Sequence, residues 1–408
     1  MKAVVFRGVG DIRLENVPDA KLQKPNDALV RLTASAICGT DLHMIRGTMA
    51  GMKSGTILGH EGVGIVEEVG SAIRNFKPGD RVVIPSTIAC GNCSYCRAGY
   101  YSQCDKANPN GPEAGTAFFG GPVTSGPFDG LQAEYARIPF ANIGMVRVPD
   151  DVSDDQAILI SDIVPTAWMA AEIACIHAGS TVAVFGCGPV GQFVIACAKL
   201  LNAGRIFAID TIPSRLEMAQ NQGAEIIDFN REDPIEALKG FTGGIGVDRV
   251  IDAVGVDATH PHHGPARKSW PKNTKDKVER KMVAPKTAEQ GANWHPGDAP
   301  SQALSWAVEA AAKAGTISII GVYPETAQIF PIGQAMEKNL TLKMGNCNHR
   351  KYIPMLLDKV VSGVLDPAKV LTNVEPLSSV IDAYRAFDTR QPGWIKVKLE
   401  PSASSLAA

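Results

Sequence analysis

Two patterns of apolar and polar residues divide the chain. From residue 1 to about residue 150, short runs such as ALVRLTASAI, GVGIVEEVG and DRVVIPS are separated by glycines and prolines. The runs are rich in β-branched residues, which suit strands, and glycine and proline mark turns between them. This part of the sequence therefore predicts a compact, mostly antiparallel β domain.

The pattern changes at about residue 163. Segments with helical periodicity, including TAWMAAEIACIHA, VGQFVIACAKLLNA and ALSWAVEAAAKAG, alternate with apolar runs such as TVAVFG, RIFAID, VDRVIDAVG and GTISIIGV. This alternation is typical of a parallel sheet with helices on both faces. After about residue 346 a further strand-like run, WIKVKLE, is able to rejoin the first domain.

The segment GCGPVG, residues 186 to 191, matches the glycine pattern of dinucleotide-binding turns. It follows the predicted strand TVAVF and opens a predicted helix, the context in which the motif is informative. Gly186 permits the tight turn, Gly188 lets the backbone approach a pyrophosphate, and Gly191 brings the helix against the strand. Pro189 and Val190 complete the motif at the helix N-terminus, whose N–H groups face the phosphates.

An acidic residue follows this motif at the expected distance. Asp210 ends the next predicted strand, 24 residues after Gly186. A carboxylate there accepts from both ribose hydroxyls and repels a 2′-phosphate, so the sequence favours NAD over NADP. The nearby Arg215 points the other way, since a guanidinium tolerates the phosphate; the position of Asp210 at the strand end decides for NAD.

Composition and charge narrow the classes of function. The chain has 40 lysine and arginine residues against 42 aspartate and glutamate residues, a net charge of −2 at pH 7. That balance gives no reason to expect nucleic acid or an anionic membrane as a partner. No run approaches the ~18 apolar residues of a membrane span, and no charged and then apolar leader opens MKAVVFRGVG. We therefore expect a cytoplasmic protein that acts on a small molecule.

Four of the nine cysteines lie within fifteen residues, in CGNCSYCRAGYYSQC. Such a cluster indicates disulfides, a redox pair or a metal cage, and persistent disulfides are rare in a reducing compartment. The spacing C-x2-C-x2-C-x7-C suits the closed tetrahedral thiolate shell of a structural zinc ion. We therefore predict a structural zinc lobe over residues 90–104, with free buried thiols as the alternative. Its ligands are Cys90, Cys93, Cys96 and Cys104.

A second metal site is a weaker prediction from the residues alone. Cys38 in ICGTDLH and His60 in GHEGVG each stand beside an acid, Asp41 and Glu61 respectively. Catalytic zinc takes three protein ligands and leaves one position open. Because these residues supply only two ligands, a buried cysteine and a hydrogen-bonded core histidine are the equally plausible interpretation.

These motifs together resemble the zinc-containing medium-chain alcohol dehydrogenase family. The resemblance rests on CGTDLH, GHEGVGIVEEVG, KPGDRVVI, the four-cysteine lobe, GCGPVG and the final strand, and it runs from residue 1 to about residue 400. It implies an α/β protein: a GroES-like, β-rich catalytic domain over residues 1–162, a Rossmann NAD-binding domain with a doubly wound parallel sheet over 163–345, and a segment over 346–408 that completes the catalytic domain. It also implies two zinc ions per chain, one catalytic and one structural.

The resemblance assigns the third ligand of the catalytic zinc to Asp162, in LISDIVPTAW. Many members of the family have cysteine at this place, whereas the branch of glutathione-independent formaldehyde dehydrogenase and formaldehyde dismutase has aspartate in the same SDI-x-PT context. A harder oxygen ligand leaves more positive charge on zinc, which favours polarisation of a bound aldehyde or hydrate. A helix N-cap is the alternative role for Asp162, and the two roles are compatible.

The same resemblance assigns the remaining catalytic roles. It implies that the substrate proton leaves through Thr40 and then His43 while hydride passes to the nicotinamide, although Thr40 is equally suited to cap a helix. Asp41 orients His60 through its other ring nitrogen. Glu61 either shuttles onto zinc or balances charge. The remaining assignments are Thr166, packed against the nicotinamide ring, and Val322, a backbone partner of the carboxamide or a subunit contact.

One segment departs from the ordinary family pattern, a long polar insertion over residues 257–300. Its part from residue 267 to 286 has eight basic residues and two acids, so it is suited to close over NAD, and a surface lid or an oligomer contact is the alternative. The resemblance to the formaldehyde dehydrogenase branch implies retained NAD(H) and aldehyde dismutation.

A small aldehyde or primary alcohol is the expected substrate, and a longer alcohol or a polyol is the alternative substrate. The alternative from another class of function is a non-catalytic NAD-binding relative. Family members are usually tetramers or dimers, so a homotetramer is expected.

Overall fold

The structure, a computed structural model, describes residues 1–267, 274–284 and 297–401. These residues form two compact units. One contains residues 1–165 and 346–401, and the other contains 166–267, 274–284 and 297–345. Among the described helices, none combines the length and apolar composition that crossing a bilayer requires.

The first part of the chain builds an antiparallel sheet. Strand β3 pairs with β4 and β6, β4 with β5, and β5 with β7, all antiparallel, while β1 and β2 form a separate hairpin. Along β3 the side chains alternate between buried and half-buried, as its sequence pattern predicts, until both faces become buried near its end. The strands are β1 (Lys2–Gly8), β2 (Asp11–Asn16), β3 (Ala28–Ile37), β4 (Gly62–Val69), β5 (Arg81–Ile84), β6 (Tyr135–Ile138) and β7 (Val146–Arg147). The helices are α1 (Gly39–Arg46), α2 (Ser94–Arg97), α3 (Ala141–Gly144) and α4 (Asp154–Ile160).

The middle of the chain forms a six-stranded sheet in which every neighbouring pair is parallel. Its strand order is β10-β9-β8-β11-β12-β13, so the first strand lies at the centre and the order reverses beside it. The helices are α5 (Ile163–Ile173), α6 (Pro189–Leu200), α7 (Pro213–Asn221), α8 (Pro234–Phe241), α9 (Thr274–Val283), α10 (Gln302–Ala310) and α11 (Ile332–Glu337). The strands are β8 (Thr181–Phe185), β9 (Arg205–Asp210), β10 (Glu225–Asp228), β11 (Val247–Asp252), β12 (Ala311–Ile319) and β13 (Thr341–Met344).

The last part of the chain returns to the first sheet. It contains α12 (His349–Val361), β14 (Asn373–Pro376), α13 (Val380–Asp388) and β15 (Val397–Glu400). Strand β15 pairs antiparallel with the end of β3, and β14 pairs parallel with β15 at the edge. The apolar side of α13 packs with the hairpin and β15 in one core, which includes Val4, Tyr384 and Leu399.

Two local features differ from the sequence pattern. The predicted helix ALSWAVEAAAKAG ends at Ala310, and its last five residues belong to β12. The Lys338 ammonium binds the carbonyl oxygens of Val308, Glu309 and Ala311 where the helix stops. The insertion over 257–300 contains helix α9, with further residues of the insertion outside the described ones. Helix α9 turns its acids inward, since Asp276 binds His260 and Glu279 accepts from Ser301.

Candidate active site

Four strand ends meet at one edge of the first sheet and bring distant residues together. Cys38 follows β3, His60 and Glu61 precede β4, Ser86 follows β5, and Lys396 precedes β15. Because β4 and β15 run antiparallel to β3, and β5 runs antiparallel to β4, these ends lie side by side. The pairing of the strands therefore assembles a site from residues that are far apart in the sequence.

Four metal-ligating residues converge at this edge. Cys38, His60, Glu61 and Asp162 each offer one ligand atom, and these atoms lie within 4.8 Å of one another. The Asp162 Oδ2 atom is 3.4 Å from His60 Nε2 and 3.7 Å from Cys38 Sγ. A thiolate, an imidazole and a carboxylate are the ligand types that zinc takes in catalytic sites.

The imidazole of His60 is held from behind by Asp41. His60 Nδ1 lies 3.1 Å from Asp41 Oδ1, while the other oxygen of Asp41 accepts from the backbone N–H of Cys38 at 2.9 Å. Burial lowers the pKa of His60, but the carboxylates of Asp41 and Asp162 outweigh it and hold this pKa well above its ordinary value. These neighbours stabilise a positive charge at His60 Nε2, where a dication would take the place of the proton.

The two carboxylate oxygens of Asp162 have different neighbours. Oδ2 faces Cys38 and His60, whereas Oδ1 accepts from Ser86 Oγ at 3.0 Å and contacts His349 Nε2 at 2.6 Å. Burial raises the pKa of Asp162, but the hydrogen bonds from His349 and His60 lower it well below its ordinary value. The carboxylate is therefore kept ionised, with one oxygen directed at the other ligand atoms.

Glu61 is paired with a buried lysine. Its Oε2 atom lies 2.5 Å from Lys396 Nζ, which also donates to the carbonyl oxygen of Ile37, and both side chains are fully buried. Burial raises the pKa of Glu61 to about 7 despite the ammonium beside it. The other oxygen, Oε1, is buried without a hydrogen-bond partner among the described residues, and a bound cation would satisfy it.

The four cysteines of the lobe also converge, at a second cluster in the same unit. Cys90, Cys93, Cys96 and Cys104 place their sulfurs within 4.8 Å of one another, and none of the nine cysteines forms a disulfide. The backbone N–H groups of Cys90 and Cys96 point at the sulfurs of Cys104 and Cys93, at 3.2 and 3.5 Å. Such donors stabilise thiolates, so the lobe fits a closed four-sulfur zinc shell.

The residues of the predicted proton relay lie on helix α1. The Thr40 hydroxyl is 3.9 Å from Cys38 Sγ, and His43 is buried one turn further along the helix. The alternative role of Thr40 as a helix cap is wrong, since α1 begins at Gly39 and Cys38 occupies the N-cap position. The relay itself stays a prediction.

The glycine motif of the second unit has the geometry of a dinucleotide turn. Gly186 follows β8 with φ of 89°, a left-handed conformation that favours glycine. A side chain at Gly191 would meet the carbonyl oxygen of Gly186 at 1.9 Å, whereas the surroundings of Gly188 are open apart from the Arg215 guanidinium. Gly188 is the N-cap of α6, which begins with Pro189 and Val190, so backbone N–H groups are exposed to a phosphate there.

Asp210 closes this turn. Its Oδ2 accepts from the backbone N–H of Cys187 at 2.8 Å, and its Oδ1 accepts from the N–H groups of Thr211 and Ile212. The Arg215 guanidinium stands 4.0 Å from the same carboxylate. Asp210 therefore ties the glycine turn to the next strand, and Arg215 lies beside both.

Two predicted cofactor contacts stay predictions. Thr166 lies on α5, and Val322 follows β12 and accepts from the backbone N–H of Val256 at 3.0 Å.

Three residues at the metal cluster were not assigned a role by sequence reasoning: Ser86, His349 and Lys396. The only signal for them was chemical, because a buried carboxylate requires donors, and no spacing in the sequence says which residues supply them.

Comparison with known proteins assigns two segments of the chain to protein families. The family described as "Alcohol dehydrogenase GroES-like domain" matches residues 24–150, and the family described as "Zinc-binding dehydrogenase" matches residues 189–262. The predicted fold class, a GroES-like domain with a Rossmann domain, is thereby confirmed.

Two individual relatives cover nearly the whole chain, and a third covers about half of it. The zinc-type alcohol dehydrogenase-like protein AdhB of Bacillus subtilis is 38% identical over 98% of this chain and 100% of its own length. The solved structure of the alcohol dehydrogenase TADH from Thermus sp. ATN1 has a TM-score of 0.79 and 34% identity, covering 98% of this chain and 99% of that one. The glutathione-independent formaldehyde dehydrogenase of Pseudomonas aeruginosa is 38% identical over 51% of this chain and 52% of its own length.

These findings identify the cofactor sites and the protein family. The four-cysteine lobe is a structural zinc site, the buried cluster around Cys38 and His60 is a catalytic zinc site, and the glycine turn belongs to a nicotinamide dinucleotide domain. A thiolate, an imidazole and carboxylates lie within ligating distance, and the similarity to AdhB and to the Thermus alcohol dehydrogenase spans 99–100% of those two chains. The chain therefore belongs to the zinc-type medium-chain alcohol dehydrogenase family.

Proposed function

We propose that this enzyme oxidises a small aldehyde, as its hydrate, or a primary alcohol with NAD, and that formaldehyde is its best substrate. The observation that carries this proposal is the ligand set Cys38, His60 and Asp162, with an oxygen in the third place. A carboxylate donates less electron density than a thiolate, so the zinc ion keeps more positive charge. The partial similarity to a formaldehyde dehydrogenase supports the same substrate.

The residues around the cluster supply positioning and proton transfer. Zinc, when bound, acts as a Lewis acid that lowers the pKa of a substrate hydroxyl and polarises a carbonyl. Thr40, beside Cys38, receives the substrate proton and passes it to His43 on the same helix. Asp41 holds the ring of His60 in one orientation.

The choice of NAD over NADP rests on Asp210. Its carboxylate ends β9 beside the glycine turn and is held there by three backbone N–H groups, so it cannot turn away from an added phosphate. A 2′-phosphate would therefore face a fixed negative charge. Arg215 offsets this repulsion only in part, because it already faces the same carboxylate at 4.0 Å.

We further propose that the enzyme retains NAD(H) through turnover and dismutates aldehyde. The first residues of the insertion support this idea, because the backbone N–H of His262 donates to Asn230 Oδ1 at 2.7 Å. Asn230 in turn contacts Thr211, which is adjacent to Asp210. The insertion is thus bonded to Asn230, after β10, and through Asn230 it is linked to the residue that follows the predicted ribose-binding Asp210.

One preparation tests both parts of the proposal. Protein purified without added nucleotide is denatured, and the released nucleotide is quantified by chromatography. About one NAD(H) per chain, with conversion of formaldehyde to formate and methanol without added cofactor, is the expected result. An empty protein contradicts retention and dismutation, and a kcat/KM for formaldehyde with NAD below that for ethanol contradicts the formaldehyde preference.

A general alcohol dehydrogenase is the second candidate function. The Thermus alcohol dehydrogenase favours it, because that similarity covers the whole chain. A panel of primary alcohols of increasing length separates the two functions: a kcat/KM that rises with chain length supports the second candidate and contradicts the first.

We also propose a homotetramer, which light scattering would show as four chains, whereas a dimer would contradict it.

A further inference from the structure

We infer that Asn348 and His349 are positioning residues through which the four-cysteine lobe holds Asp162 in its ligating geometry, so that the two metal sites are coupled. The inference rests on the zinc site of the proposed function. It follows from a chain of hydrogen bonds between the two clusters, both of which belong to the first unit.

The first link joins the lobe to helix α12. Ser102 lies in a short 3-10 turn, Tyr101–Gln103, between the third and fourth cysteines. Its backbone N–H and its hydroxyl both donate to Asn348 Oδ1, each at 2.9 Å. Asn348 is the N-cap of α12, yet its side chain makes no capping bond to its own helix. The side-chain oxygen that would ordinarily cap the helix is used to bind the lobe instead.

The second link joins the same helix to the catalytic cluster. His349, the first residue of α12, contacts Asp162 Oδ1 through Nε2 at 2.6 Å, and its Nδ1 lies 3.2 Å from Thr87 Oγ1. His349 is 3% exposed and Asp162 8%, so this charge-assisted bond is shielded from water. Together with Ser86 it occupies Oδ1 and leaves Oδ2 directed at Cys38 and His60.

These links predict how the sites influence each other. The lobe fixes Asn348, Asn348 fixes the start of α12, and His349 there fixes the rotation of the Asp162 carboxylate. Loss of the Ser102 contact releases the helix end and lets Asp162 rotate, which weakens metal binding at the catalytic cluster. Because coupling free energies are reciprocal, the catalytic metal also strengthens the lobe.

Cobalt substitution tests the inference with a readout that is independent of activity. Co²⁺ is loaded into both sites, and its dissociation constant at the catalytic site is obtained from ligand-field absorbance during chelator competition. We expect His349→Ala to weaken this site about 10- to 100-fold, the usual effect of losing an outer hydrogen bond to a ligand. Asn348→Ala acts one link further away and should weaken it about fivefold or more, the lower range of coupling between two sites. Asn348→Asp keeps an acceptor for Ser102 and should restore affinity to within about threefold.

The matched control is Asn346→Ala, two residues earlier, which removes the bond from Asn346 Nδ2 to Thr116 Oγ1 and touches neither Ser102 nor Asp162. Its cobalt affinity should stay unchanged. At the second link, His349→Gln keeps an N–H donor and should bind cobalt more tightly than His349→Ala. If His349→Ala fails to fold, the three variants at Asn348 and Asn346 still decide the question.

Two outcomes would overturn different statements. If Asp162→Ala weakens cobalt binding but Asn348→Ala does not, the coupling is wrong and the catalytic metal site stands. If Asp162→Ala leaves cobalt binding unchanged, Asp162 is no ligand, and the premise taken from the proposed function fails.

Discussion

The two metal clusters lie in the same unit but are built in opposite ways. The lobe takes all four ligands from fifteen consecutive residues, and two of its cysteines, Cys90 and Cys104, are only partly buried. The catalytic cluster takes ligands that are up to 124 residues apart, and its neighbourhood contains buried charges such as Asp41 and Lys396. A local turn defines the first cluster, whereas the pairing of a whole sheet defines the second.

The difference extends to one sulfur of the lobe, that of Cys93. Burial works to raise the pKa of Cys93, but backbone N–H groups of Cys96 and Asp105 donate to its sulfur and lower this pKa to about 7. Burial raises the pKa of Cys38, and the hydrogen bond from His60 opposes that effect without reversing it. In the lobe, backbone donors therefore favour the thiolate of Cys93, whereas burial raises the pKa of Cys96 and of Cys104 as it raises that of Cys38. Those three sulfurs depend on a metal ion to become thiolates.

The largest expected effect is loss of activity from the catalytic cluster. Cys38→Ala removes one of three ligands, so the metal and its several kcal/mol of charge stabilisation are lost. We expect kcat/KM to fall about ten-thousandfold, equivalent to ~5.5 kcal/mol, with one zinc left per chain. Steady-state kinetics and elemental analysis measure this. A variant that keeps two zinc ions and its activity would remove Cys38 from the ligand set.

Loss of a ligand in the four-cysteine lobe should instead lower the stability of the fold. Cys93→Ser opens the thiolate shell of the lobe, and metal that binds only the folded state stabilises it by about 4 kcal/mol at a thousandfold excess over Kd. We expect the unfolding free energy in zinc-containing buffer to fall by about that amount, as measured by urea denaturation. Cys197→Ser, at a buried cysteine outside both clusters, is the control that should retain both metals. Equal stability of Cys93→Ser and the parent protein would show that the lobe is not a folding element.

The smallest expected effect concerns the buried charges that only the catalytic cluster has. Lys396→Met leaves Glu61 buried without its cation, which costs about 3 kcal/mol of unfolding free energy, and Glu61→Gln in the same chain should recover most of it. The control Lys398→Met, two residues later in β15, should cost less than about 1 kcal/mol because its partners Asp155 and Glu400 remain hydrated. Equal losses at both positions would show that burial of Glu61 sets no special demand.

The sequence predicts most reliably what is determined locally. Spacing alone identified Cys90, Cys93, Cys96 and Cys104, and strand-turn-helix context identified Gly186 with Asp210, because each set lies within one supersecondary element. Asp162 needed a family resemblance, since only the tertiary fold brings it to Cys38.

The residues that sequence reasoning missed have a common cause. Lys396 alternates with apolar residues in WIKVKLE like an exposed lysine, yet it is fully buried because it faces Glu61. His349 and Ser86 carry no motif, and their role appears only when Asp162 requires donors. The boundary between α10 and β12 was missed for a similar reason, because Lys338, from a later part of the chain, binds the helix end.

The return of β15 to β3 has a consequence for biosynthesis. The parallel sheet is complete once residue 344 has been synthesised, because all six strands lie between residues 181 and 344. The antiparallel sheet lacks strand β15, which pairs with the end of β3, until residue 400 has left the ribosome. Until then Glu61 also lacks the ammonium group of Lys396. The first unit is therefore completed only after the parallel sheet of the second, although most of its residues are synthesised earlier.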